Sequence, residues 1–209
     1  MAGRYEGDLV VTLLDDGRRV KLMNDFAYID GANLRWDTPK DAIVDGASIP
    51  KVLWGLTGGP FEGKYRNASV IHDWYCDQRS RKWQAVHRVF YEAMLTSGVP
   101  EIQARYMYAA VRWAGPKWSA TVVHNAEVAT KPHPMGFGAG AGTTKGKAAR
   151  TGKAKRRITT THTPLNKTQF EALTKRVKSE DLSLDDIDRM VDDKTAKLKS
   201  KVLSVKDED

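Results

Sequence analysis

Cysteine is nearly missing from the chain: Cys76 is the only one. No internal disulfide can form, so the fold need not mature in an oxidising compartment. Aromatic bulk thins out downstream, since all six Trp and all seven Tyr precede residue 119. The main core is therefore expected upstream of that point. No apolar run approaches the roughly 20 residues that span a bilayer. The opening MAGRYEGDLV has no apolar stretch of the secretory kind. Acidic residues are absent from residues 131–165, which carry eight basic groups. Elsewhere the charges nearly balance, with 16 basic and 15 acidic groups in residues 1–130 and 10 and 11 in residues 166–209. The formal charge of +8 is thus a local feature. It does not mark the whole chain as a nucleic-acid enzyme.

What is present reads as a small α+β body. GDLVVTLL, residues 7–14, and Arg18 to Met23 form a hairpin about Asp15, Asp16 and Gly17. Phe26 to Ile29 and Asn33 to Trp36 form a second pair about Asp30–Gly31. Such hairpins are marginal alone and need a cover. Lys51 to Leu56 reads as a short helix ended by Thr57-Gly58-Gly59-Pro60, and Ala68 to Gln78 as a second helix. A third runs about Arg81 to Ser97 with Ser80 as its cap. It carries Val86, Val89, Phe90, Ala93 and Met94 at helical spacing. Gly98 ends it, and Pro100 opens a fourth that stops at Gly115-Pro116. The pattern predicts a small antiparallel sheet covered by three helices over residues 1–125, then a flexible basic linker over residues 126–164. Residues 165–209 form C-terminal helices, with Asn166/Gln169 and Ser183/Asp186 as capping boxes. Their apolar faces are thin, so this segment is expected to dock on another surface or self-associate. The seven basic residues between Lys145 and Arg157 suit nonspecific, salt-dependent contact with nucleic acid. No aromatic residue is interleaved there to stack bases.

Asp45, His72, Asp73 and His87 are the candidates for chemistry. His72 and Asp73 are adjacent, so on a helix they diverge by about 100° and cannot simply face each other. His72 and Cys76 share a face, as do Asp73 and Asp77. Antiparallel packing of the two helices brings His72 toward His87, with Asp45 or Asp73 completing a site for Zn²⁺ or another divalent ion. Alternatively, a carboxylate orients an imidazole that acts as a general base. Each residue has a structural alternative. His72 can bridge its helix to the glycine loop, and Asp73 can hold amides of the Gly58–Gly59 or Gly63 turn. His87 can serve packing, and Asp45 can satisfy the turn at Gly46 and Ala47. Cys76 reads as a small buried apolar residue and Ser48 as a helix cap.

The motifs VDGASIP, GPFEGKY, ASVIHDW and HRVFYEAM, in this order, resemble a small domain family of unknown function, DUF1353, common in tailed phages and prophages. The resemblance covers about residues 7–115. Its D-G-A-S-x-P falls on Asp45, Gly46, Ala47, Ser48 and Pro50. Its G-P-x-x-G-x-Y falls on Gly59, Pro60, Gly63 and Tyr65, and its H-D on His72 and Asp73. Its later A-D-x-x-F falls on Val86, His87 and Phe90, so His87 stands where an aspartate is usual. The resemblance implies a virion protein made in the host cytoplasm. Such a protein would act in a tail, neck or internal assembly, and residues 165–209 would contact other phage structural proteins in an oligomeric particle. The alternative is a metal- or His-dependent hydrolase of cell-envelope substrates, with His72 and Asp73 catalytic. W-G-L-T-G-G-P followed by H-D-W-Y also resembles secreted phospholipases, where a histidine activates water and its neighbouring aspartate holds Ca²⁺. The disulfides of that family have no counterpart here.

Overall fold

A computed structural model describes residues 3–46, 48, 50, 53, 61, 63–123 and 155–206. The expected Lys51–Leu56 helix, the turn after it and most of the basic linker lie outside these residues. The α+β reading holds, with the strands divided between small antiparallel sheets. In the first, β1 (Arg4–Glu6) pairs with β4 (Phe26–Ile29), which pairs with β5 (Arg35–Thr38). In the second, β2 (Val11–Leu13) pairs with β3 (Val20–Leu22), which pairs with β6 (Ile43–Val44). Both expected hairpins form. The sequence pattern does not reveal β1 and β6, which are too short to show alternation.

Three helices carry the core. In α1 (Arg66–Gln78), Ala68 to Asp73, Tyr75 and Cys76 are all buried. A helix covered on so many sides lies between layers rather than at the surface. It ends at Arg79, whose left-handed backbone (φ 51°) lets its N–H reach the Tyr75 carbonyl. Helix α2 (Trp83–Thr96) buries Val86, His87, Val89, Phe90, Ala93 and Met94. Lys82, not Ser80, occupies its N-cap, with no side-chain cap bond. Gly98 follows it at φ 73°, a conformation that costs glycine little. Helix α3 (Glu101–Ala114) begins after Pro100 and ends at Gly115. Phe90, Met94, Met107 and Ile71 are fully enclosed. Burying each such side chain is worth about 1.5–3 kcal/mol.

The C-terminal helices α4 (Lys167–Ser179) and α5 (Leu184–Lys206) pack on α3. Phe170, Leu173, Val177, Ile187 and Val191 join the same core. The dock for their thin apolar faces is therefore the body of this chain. Polar contacts fix the seam: Tyr108 Oη donates to Asp188 at 2.6 Å, Arg112 Nε to Asp188 at 2.7 Å and Arg112 Nη2 to Asp192 at 2.7 Å. Both expected capping boxes form, at Asn166/Gln169 and Ser183/Asp186. Residues 1–118 and 160–209 make one compact unit, and residues 119–159 a second. Strands β7 (Lys117–Val123) and β8 (Lys155–Thr161) pair with each other. The stretch expected as linker thus includes a strand at its end, where Ile158 and three threonines favour extended backbone.

Candidate functional site

Asp73 faces the turn after β6. Its Oδ2 accepts from the amides of Asp45 at 2.8 Å and Gly46 at 3.0 Å. Its Oδ1 accepts from the Ser48 amide at 3.2 Å and the Ser48 hydroxyl at 2.5 Å. Gly46 adopts φ 68°, which turns successive amides toward one acceptor. The Asp73 carboxylate is buried, and four hydrogen bonds fill most of its accepting capacity. The residue thus braces a turn, as its structural alternative anticipates, but the turn is Asp45–Ser48 rather than the glycine loop. Ser48 belongs to this clamp. The Asp45 carboxylate points elsewhere and pairs with Arg18 at 3.3 Å on a half-exposed surface.

His72 leaves the helix in a different direction, toward α2. Its Nε2 lies 2.8 Å from His87 Nδ1, and the two rings share a hydrogen bond. Phe90 packs on His72 and the Trp83 ring edges onto His87. One turn along α1, Cys76 Sγ lies 3.6 Å from His72 Nε2 and 3.9 Å from Nδ1. Both histidines are fully buried and Cys76 nearly so. Burial alone holds His72 down to about 3, so the ring is neutral. Burial also pushes His87 well below the ordinary imidazole value; the nearby His72, Arg112 and Lys117 add to that, while the Pro116 carbonyl works against it. Burial drives the Cys76 thiol well above its usual range, with Ser48 opposing weakly. His87 Nε2 is turned to the Gly115–Pro116 turn and has no hydrogen-bond partner of normal geometry.

The four expected ligands therefore divide. His72 and His87 meet, while Asp73 and Asp45 serve the turn and the surface. Cys76 takes the place expected for a carboxylate: ligand atoms of His72, Cys76 and His87 all lie within 4.8 Å of one another. The i to i+4 spacing of His72 and Cys76 is the sequence signal for it. A lone buried cysteine in an apolar helix is ordinarily packing, which hid the signal.

Both the turn and the helix that clamps it fall within the stretch covered by the family comparison. The model of a protein of unknown function, DUF1353, matches residues 20–111. The uncharacterized protein y4jT of Sinorhizobium fredii is 45% identical over 116 residues, covering 56% of this chain and 34% of that protein. The uncharacterized protein y4iH of the same organism is 42% identical over 113 residues, covering 54% of this chain and 47% of that protein. The alignments thus span less than half of either relative. No solved structure matches the chain. Strands β1 and β2, helices α4 and α5 and the β7–β8 pair fall outside the DUF1353 match.

Proposed function

We propose that this DUF1353 chain is an assembly component of a bacteriophage or prophage-derived particle, made in the host cytoplasm and carried in the virion. It works by binding its neighbours. The phage setting rests on the ordered motifs, and the binding role on one observation, the edge strand β2. Val11 and Leu13 pair with Leu22 and Val20, so all four point to the same side of the sheet. Leu22 and Val20 are buried, whereas Val11 is 39% and Leu13 62% exposed. The apolar face runs past its cover and ends on β2, whose outer edge pairs with no other strand among the described residues. Beside it a groove of about 370 Å³ is lined by Leu9, Val11, Phe61 and Val70 among others. An exposed apolar edge is a ready template for a second strand. Covering a side chain such as Leu13 contributes about 1.5–3 kcal/mol. The charged residues of 165–209 and the basic residues of 145–157 supply polar contacts, to particle proteins and to packaged nucleic acid respectively.

A hydrolase needs a base that reaches water and a carboxylate with an open lone pair. Among the described residues, His72 is enclosed and Asp73 is occupied by the turn, which favours the binding role. The test is incorporation of Leu13→Lys into particles, with wild-type chain as reference. Exclusion of a folded Leu13→Lys chain supports the reading, and equal incorporation overturns it. Envelope-substrate cleavage by wild type that disappears in His72→Ala would instead establish the hydrolase.

A further inference from the structure

We infer that His72, Cys76 and His87 form a transition-metal site that ties α1 to α2, with Zn²⁺ as the fitting ion. The inference is independent of the particle role.

The donor set argues for the ion class. Two imidazoles and one thiol are borderline-soft ligands of the kind zinc takes, whereas Ca²⁺ requires oxygen ligands. The carboxylates that could serve Ca²⁺ lie elsewhere, Asp73 on its turn and Asp45 beside Arg18.

Distances support the same ion. Tetrahedral Zn²⁺, with Zn–N of about 2.0–2.1 Å and Zn–S of about 2.3 Å, sets an N···S separation of about 3.6 Å and an N···N separation of about 3.3 Å. Cys76 Sγ lies 3.6 Å from His72 Nε2, and His72 Nε2 lies 2.8 Å from His87 Nδ1. Entry of the ion therefore replaces one hydrogen bond, parts two rings by roughly half an ångström, and turns Cys76 Sγ in from a position nearly equidistant from both His72 nitrogens, all three ligand atoms already lying within 4.8 Å of one another. His72 Nε2 and His87 Nδ1 become ligands, leaving protons on His72 Nδ1 and His87 Nε2. The latter then faces the Gly115–Pro116 backbone, and a ligating histidine usually turns its other N–H toward such a carbonyl. The thiol binds as thiolate, and its proton passes to solvent. Three protein ligands on two helices supply most of a four-coordinate shell.

The test uses the full, tag-free chain, stripped with chelator and reloaded with Zn²⁺ or Co²⁺ alone. One Zn²⁺ bound per chain, a thiolate-to-cobalt charge-transfer band and a raised unfolding temperature are expected. Cys76 is the only cysteine, so its reaction with a thiol reagent reads this position alone. Zn²⁺ should slow that reaction in wild type. Cys76→Ser should abolish the band and weaken Zn²⁺ binding by about tenfold or more. Absence of the band in wild type, or no protection of the thiol by Zn²⁺, overturns the site whether or not Cys76→Ser folds. Binding only through the three other histidines would leave the thiol reactive and would likewise overturn it.

Discussion

His72 Nε2 and His87 Nδ1 stand 2.8 Å apart in a fully buried seam, where burial keeps both imidazoles neutral and one N–H donates to the other ring's bare nitrogen. Protonating either one places an unpaired charge in the core.

That pair should make stability fall in mild acid. His72 drops from an ordinary 6.5 to about 3 on folding, and His87 moves the same way. Between those values the unfolded chain binds the extra protons, so stability is present above pH 6.5 and lost as pH falls below it. Each histidine contributes a slope of at most about 1.4 kcal/mol per pH unit. Urea denaturation in chelator at pH 7.5, 6 and 5 measures this. Equal stability at all three would contradict the neutral buried pair.

Asp73→Asn should destabilise the domain by about 2–4 kcal/mol. The new amide turns a donor toward the amides of Asp45, Gly46 and Ser48, which need an acceptor. Ser48→Ala removes one bond and should cost about 1 kcal/mol. Chemical denaturation of both variants checks the ranking. A milder effect for Asp73→Asn than for Ser48→Ala would show that the turn does not depend on the carboxylate.

Asp188→Ala should loosen α5 from α3. The carboxylate accepts from Tyr108, Arg112 and Arg88, and Arg112 is buried, so removal leaves that cation with Asp192 as its remaining carboxylate partner, at a cost of about 1–3 kcal/mol. Burial pushes the Asp188 carboxyl up, yet the Tyr108 and Arg88 hydrogen bonds with the nearby Arg112 leave it net below the usual range. Its stabilisation is therefore present at neutral pH and fades as pH falls through that lowered value. Limited proteolysis should cut Asp188→Ala first between α4 and α5. An unchanged digestion pattern and unchanged stability would count against the seam.

Gly115→Ala tests the back wall of the histidine pair. A Cβ there would overlap the Val111 carbonyl and sit 3.0 Å from His87 Cε1. The expected loss is about 1–3 kcal/mol, with a shift in the His87 ring resonances. Wild-type thermal stability in this variant would mean that the turn yields freely.

The helices were readable because their apolar positions recur at 3.6-residue spacing and because Gly98 and Pro100 punctuate them. The hairpins were readable from Asp15-Asp16-Gly17 and Asp30–Gly31. Strands of two or three residues, β1 and β6, carry no periodicity, and their pairing depends on distant partners. At the site, helical geometry foretold that His72 and Asp73 would diverge, and motif order pointed to His87. Which carboxylate would join them was not legible, because the Asp73–turn contact spans 25 to 28 residues. The cover found by α4 and α5 was equally hidden: a thin apolar face looks the same whether its partner is another molecule or Tyr108, Arg112 and Trp113 upstream.

Because residues 160–209 return to complete the unit begun by residues 1–118, the stretch from Ser119 to Thr159 is an excursion whose two ends are held by the same body. The entropy of closing such a stretch changes by only about 0.6 kcal/mol for each doubling of its length. Length changes between Val123 and Lys155, outside the paired strands β7 and β8, should therefore cost the packing of residues 1–118 and 160–209 little, and an engineer can insert a reporter there on the same terms.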